Sequence, residues 1–408
     1  MAQALDIIMA WQLRNPDISD AAAAIEEVKA SNLLKIDANG SAKSPAEPRK
    51  QGELTSALIS HFLRHVLKPL FVQAKTKADI TPAGRKKIGE LPQRSFGQGG
   101  PVLDDQNSNP WKYESAWAMD LLAWICMKLD VKIVEQEWGY LLPPVLTLLE
   151  DTDTSIRAKG CDLLRLLLLS TPPPLLQRTG LAPLFEDTLT ISLSYVPTLT
   201  PQEESAVLLP AAFSALLTLI DTAYAPPPPH ERLSAARLAS LTRLLRRSII
   251  QPFSHVHDYP LAATALLAAA PAVLDRLGVD AIAHLKDLVP LLAGVLADAL
   301  AVAAQPTLVL AAVRGLRSTI ANAWPRVAAW RGEVLRGVAV CWVRVGEEMG
   351  GLQGVNADLL VIKEELRACV GMLREVMVRD GLGKAFEDDT TMLVHADGRL
   401  QSLFASLG

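Results

Sequence analysis

No stretch of this sequence alternates apolar and polar positions over a strand length, so a half-buried β-sheet has nothing to build it. Aromatic residues supply only 5% of the 408 positions although hydrophobic residues supply 50%. The apolar bulk is alanine and leucine, which is a helical composition. Excess positive charge is missing too. Forty Lys+Arg face 44 Asp+Glu, a net charge of −4. Such a balance argues against nucleic acid as the main partner, because duplex binding rests on neutralising phosphates. The longest uncharged apolar runs, 205–220 and 259–274, each contain a proline and fall short of the roughly 20 residues that a membrane span needs. The N-terminal stretch carries neither a basic n-region nor a small-residue cleavage motif. The expectation is a soluble protein of cytoplasm and nucleus, without signal peptide or membrane partner.

Cysteines are few and scattered. Cys126, Cys161, Cys341 and Cys369 lie inside apolar helical patterns without C-x-x-C spacing, so buried reduced thiols are expected. Phosphate-loop, nucleophile-elbow and zinc-protease signatures are absent, and no catalytic, metal-binding or cofactor-binding residue is assigned. The remaining polar groupings read as structural. Gly97-Gln98-Gly99-Gly100 has no strand before it or helix after it. His61 and His65 have helical i, i+4 spacing but lack a third ligand. His255, His257 and Asp258 fall in a break between helices, and Asp151 with Asp153 fits a capping turn. Arg243, Arg246 and Arg247 make a basic strip on one helix, suited to solvent or to an acidic protein partner.

What the chain does contain is helix after helix. Helices are expected over 17–35 and 53–73, followed by a polar stretch rich in Gly, Pro, Lys and Asp that has little to bury and reads as a flexible loop. The division expected is 1–73, 74–110 and 111–408, the last an all-α, HEAT-like α-solenoid of stacked helix pairs without sheet. Its breaks fall at TPPP (171–174), PTLTP (197–201), APPPP (225–229), Pro260, Gln305-Pro306, Trp324-Pro325 and GGLQG (350–354). Thr200-Pro201-Gln202-Glu203 reads as a capping box opening a helix over 201–223. The segment 138–168 has the layout of a HEAT repeat. Pro143-Pro144 lies in the first helix, an acidic turn follows, and Ile156-Arg157 opens the second. Pro144 and Pro183 are separated by about one ~40-residue period of such arrays, and Pro210 and Pro290 begin fainter echoes.

Three of the eight tryptophans fall in NPWKYESAWAMDLLAWICMKL (109–129). Ala118, Leu121, Leu122, Ile125 and Leu129 form its core stripe, with Trp117 and Trp124 on the edge beside Asp120 and Lys128. Packing against the next repeat and an exposed interface both fit those two indoles. Trp111, next to Lys112 at the helix entrance, fits either a partner anchor or a staple closing the array. Trp111, Lys112, Trp117 and Trp124 are therefore the candidate partner-binding residues.

Several motifs together resemble one family. They are NPWK (109–112), W-x-x-LLPPVLTLLED (138–151), I-R-x-K-G-C-x-LL (156–164), TGLAPLFEDTL (179–189) and S-Y-V-P-x-L-T-P-x-E-E-S (194–205). The stretch 109–225 is similar to the fungal members of the Tel-two-interacting protein two family, the smallest subunit of the Triple T (TTT) cochaperone complex. The resemblance implies a non-enzymatic adaptor that binds the large solenoid Tel-two-interacting protein one and, with it, the Tel-two protein. It further implies a link to the ninety-kilodalton heat-shock chaperone system. Through that system the complex would mature phosphatidylinositol 3-kinase-related kinases, both the Tor kinase and the DNA-damage checkpoint kinases. The alternative readings are a HEAT adaptor of another assembly, such as a phosphatase scaffold or transport factor, and a helical enzyme. The enzyme would need convergent polar residues on one concave face, and the sequence offers scattered ones.

Overall fold

The computed structural model describes residues 48–71, 110–113, 115, 117–224, 228, 231–351 and 357–405. The expected helix 17–35 and nearly all of the polar stretch 74–110 lie outside them. Among the described residues every regular element is helical. Contacts divide the chain into two compact units, one of 1–150 with 170–180 and the other of 151–169 with 181–408.

In the first unit, helix α1 (Pro48–His61) runs on through a π-helical turn, Phe62–Leu67, into Lys68–Phe71. The 53–73 expectation falls on this continuous rod. Ile59, Leu63 and Leu67 are completely buried. A turn at Pro110–Tyr113 leads to α2 (Trp117–Met127) and α3 (Val131–Glu150). Asp130 starts α3 by accepting from the Ile133 N–H at 2.7 Å. The end of the rod packs on α3 and on the Pro110–Tyr113 turn. In α2 the buried side are Ala118, Leu122, Ile125 and Cys126; Leu121 and Leu129 of the expected stripe are only half-buried.

The second unit is a ladder. Its helices are α4 (Thr154–Leu169), α5 (Ala182–Ser192), α6 (Gln202–Ala223), α7 (Ala235–Leu245), α8 (Pro260–Leu277), α9 (Leu285–Ala297), α10 (Pro306–Asn322), α11 (Arg331–Gly351), α12 (Ala357–Arg379) and α13 (Gly383–Ala396). The even-numbered helices from α4 to α12 pack each on the next, forming one row. Each of α5, α7, α9 and α11 packs on the even helix that follows it. Stacked pairs touching only their neighbours define an α-solenoid. A lone pair would leave its second apolar face in water, so burial requires the stack. The row helices begin at 154, 202, 260, 306 and 357, a longer spacing than the ~40-residue period. Proline does not mark one row either, since Pro210 and Pro271 lie inside α6 and α8 whereas Pro290 lies inside α9. Pro183 opens α5 at its first turn, where no N–H is needed.

Two stretches, Gln202–Ala223 and Pro260–Ala297, are long and apolar enough to cross a membrane by length and composition, and 50% of the most apolar 18-residue window in each is buried within the fold. A row helix is covered on two faces by its neighbours, which accounts for that composition. The second stretch is interrupted by a 3-10 turn at Gly278–His284.

The acidic turn works as expected within this unit. Asp153 Oδ1 accepts from the Ser155 N–H at 2.9 Å and the Ser155 hydroxyl at 2.7 Å, which caps α4. Arg157, 5% exposed, donates to the Asp151 carbonyl at 2.9 Å and to Ser192 Oγ at 3.2 Å, with Tyr195 stacked 4.6 Å from its guanidinium. The other cap differs from expectation. The residue before α6 is Pro201, in extended geometry, and no side chain caps the helix. The box is one residue out of register: Thr200 lies outside it, and Glu204 instead takes the Thr154 hydroxyl at 2.7 Å. Farther on, buried Arg237 donates to the Tyr224 carbonyl and to Asp221, both at 2.6 Å. Arg276 holds the other Asp221 oxygen at 2.7 Å, so one carboxylate joins α6, α7 and α8.

Ile156 is 7% exposed. Ile156→Asp is expected to cost about 2 kcal/mol, because the carboxylate loses water at the rim of the core without gaining a cation. Chemical denaturation would show it, and a variant as stable as the parent would mean that α4 is not packed.

Candidate partner-binding surfaces

The sequence-chosen residues all fall in the first unit. Trp111 has no solvent exposure. Its indole stacks on Phe71, with ring centres 5.3 Å apart and planes 15° from parallel. The indole N–H finds no acceptor among the described residues. Packing therefore claims this side chain, as a staple between the Pro110 turn and the end of the long rod. Trp124 is half-buried and meets Phe62 edge-on at 6.4 Å. Trp117 is half-buried. Lys112 is also half-buried, with its ammonium 5.8 Å from the ring centre of Tyr113, itself 49% exposed. The structure thus gathers Trp111 and Trp124 on the same rod and leaves part of Lys112, Trp117 and Trp124 facing solvent.

Sequence reasoning missed what holds that rod. Glu137, 2% exposed on α3, accepts from Ser60 Oγ at 2.8 Å and from Arg64 Nη2 at 2.7 Å. The carboxylate holds the Arg64 guanidinium above its ordinary range. Arg64 and Lys68 both lie over the Tyr140 ring, at 5.2 and 5.3 Å. In the sequence Glu137 looks like any surface acid. Only the arrival of α1 buries it.

A second surface lies in the other unit, on the basic strip. Ser234 caps α7 by accepting from the Arg237 N–H at 3.3 Å. Helix α7 then widens into a π-helical turn, Arg246–Ile250, before the short helix Gln251–Val256. Both π turns of the described residues have one cause. The N–H of Lys68 bonds back to Leu63 and that of Gln251 to Arg246, five residues each way, and the next residues are Pro69 and Pro252. Proline has no N–H, and its ring would strike the carbonyl four residues back. A wide turn absorbs both problems without ending the helix.

The turn buries Ser248 and Ile249 and leaves Arg246 and Arg247 exposed. With Ala239, Thr242, Arg243 and Gln251 they line a groove of about 440 Å³. Glu186 holds Arg243 at 2.9 Å and accepts from Ser240 Oγ at 3.1 Å. Among the described residues Arg246 and Arg247 have no carboxylate partner.

Among the described residues no three His, Cys, Asp or Glu side chains gather as a metal site. The His61 and His65 rings lie 4.9 Å apart, and His257 pairs with Asp258 at 3.4 Å on the surface. All four cysteines are buried and free. Burial pushes the thiols of Cys126, Cys161 and Cys341 up to about 12 and raises Cys369 as well. A raised thiol pKa means less thiolate, the reactive form, at any pH below it. At pH 8 the native chain is expected to take up iodoacetamide at least ~100-fold more slowly than the unfolded chain. Rapid alkylation of a native cysteine would contradict its burial.

A solenoid with an aromatic patch and an arginine groove, and without a reaction centre among its described residues, belongs to the class of helical-repeat scaffolds. The comparison with known families is specific: a model of the Tti2 family matches residues 22–303. The chain belongs to the Tti2 family, a family of TTT cochaperone subunits and not a known enzyme family. No solved structure matches it.

Proposed function

We propose that this protein is the non-enzymatic scaffold subunit through which the TTT complex holds together. It binds the large solenoid Tel-two-interacting protein one and, in the same heterotrimer, the Tel-two protein. Acting with the ninety-kilodalton heat-shock chaperone system, in cytoplasm and nucleus, the assembly matures the Tor kinase and the DNA-damage checkpoint kinases. The observation that carries this reading is the Tti2 family match over residues 22–303; the stacked helices of the second unit supply the form that a scaffold needs. Within the first unit the partner surface comprises the accessible parts of Lys112, Trp117 and Trp124, with Trp111 supporting them from beneath.

Affinity purification of the tagged chain from its own host, with mass spectrometry of the associated proteins, tests the reading. The expected result is recovery of both partners in stoichiometric amounts. Recovery of a phosphatase or a transport complex instead would assign the chain to another assembly.

A further inference from the structure

From the groove beside the second π turn we infer that this protein docks an extended acidic peptide segment of a protein partner, its carboxylates held by Arg246 and Arg247. The inference rests on the chemistry of the groove and does not require the assembly proposed above.

Charge is the first argument. The chain as a whole is acidic, at −4, yet Arg243, Arg246 and Arg247 line one groove, and among the described residues Arg243 alone of the three is in an ion pair, with Glu186. Elsewhere in this unit several arginines are paired, Arg237 and Arg276 with Asp221, Arg314 and Arg317 with Glu365, Arg331 with Asp389, and others such as Arg367 and Arg379 lie over indole rings. Two neighbouring guanidiniums without a counter-charge repel each other, and a ligand carboxylate removes that repulsion while accepting two parallel hydrogen bonds from each fork.

Geometry is the second. In an extended peptide, residues i and i+2 point the same way at about 6.6–6.8 Å. Two acidic residues separated by one therefore present both carboxylates to the groove that Arg246 and Arg247 line together. The volume of about 440 Å³ accommodates two such side chains and the backbone between them. Thr242 and Gln251 on the lining can bond that backbone. The arginines are also held on a firm base. Glu186, itself bonded by Ser240, fixes Arg243 from the side, and the π turn is anchored by buried Ser248 and Ile249. A nucleic acid fits less well, because one short strip neutralises few phosphates and the rest of the chain repels them.

The test uses the full chain and a fluorescein-labelled twelve-residue probe peptide (a length chosen to span the strip, ~3.3 Å per residue) containing Glu-Gly-Glu. The same peptide with Gln-Gly-Gln serves as its neutral counterpart, and a single-stranded oligonucleotide of equal charge as a third probe. Anisotropy titrations are expected to show binding of the Glu peptide that weakens as salt is raised, with at least tenfold weaker binding of the Gln peptide. Arg246→Glu/Arg247→Glu should lose at least tenfold in affinity at an unchanged melting temperature. Arg246→Gln/Arg247→Gln provides the same comparison without charge reversal, should the first variant fold poorly. Equal binding by a folded variant, or by the Gln peptide, overturns the proposal. So does tighter binding of the oligonucleotide, which would make the groove a nucleic-acid surface. Concentration-dependent self-association that the variants abolish would overturn it as well, since the occupant would then be a second copy of this chain.

Discussion

Trp111→Ala is expected to destabilise the first unit by about 3–5 kcal/mol, the range for deleting a large aromatic from a core that collapses only in part. The indole has no solvent exposure and its stacking partner, Phe71, is 3% exposed, so truncation removes a whole ring pair and leaves a cavity between the Pro110 turn and the rod. Lys112→Ala should change stability by no more than about 0.5 kcal/mol, as is usual for a partly exposed side chain. The pair of variants separates folding from recognition. Denaturant unfolding gives the first quantity, and capture of the large solenoid partner gives the second. Trp111→Ala should lose capture only in proportion to its unfolding, whereas any loss in Lys112→Ala would report contact. A Trp111→Ala chain that unfolds with the parent would refute the staple and return the indole to the interface.

Gly337→Leu should be nearly as costly, at about 3 kcal/mol or more, the upper end for overpacking a filled core. Helices α9 and α11 approach closely here. A Cβ at Gly337 would stand 2.9 Å from the Ala293 Cα, 3.0 Å from its Cβ and 3.1 Å from its carbonyl oxygen. Those atoms belong to backbone and to a side chain with no rotamer, so relief requires moving a helix. Gly337→Ala should cost less, since higher helix propensity offsets part of the clash. Gly346 lies on the same helix with nothing within 4 Å of its Cβ position. Gly346→Ala is therefore expected to stabilise by roughly 0.5–1 kcal/mol. Thermal melts of the three variants decide the point, and a Gly337→Leu chain that melts with the parent would show that α9 and α11 do not meet as described.

Much of the fold was legible because it is written locally. The helical period, the lack of alternation and the proline-marked breaks are short-range properties, and they identified the α-solenoid class and the helices at 53–73 and 201–223. Leu163, Leu164 and Leu167 could be placed in the core from α4 alone, and all are 4% exposed or less. The capping residue Asp153 was legible for the same reason. The capping box failed where two local rules compete. Thr200 and Pro201 both suit a helix start, and proline's geometry took the position next to the helix. Pro69 lies inside the expected helix 53–73 and does not end it, because a π turn before it, as before Pro252, lets the helix run on.

The candidate surfaces were less legible, for a physical reason. A tryptophan's spacing reveals which helical face it occupies but not what arrives on that face. By itself the sequence determined that this chain folds as helix pairs, that those pairs must stack to bury their second apolar face, and that Trp111 stands at an entrance. Tertiary structure alone decided that Phe71 covers Trp111, that Glu137 is buried against Arg64, and that Arg243 has an acid while Arg246 and Arg247 have none among the described residues. Each of those depends on an element distant in sequence being brought within a few ångströms, and contacts of that kind leave no local period to read.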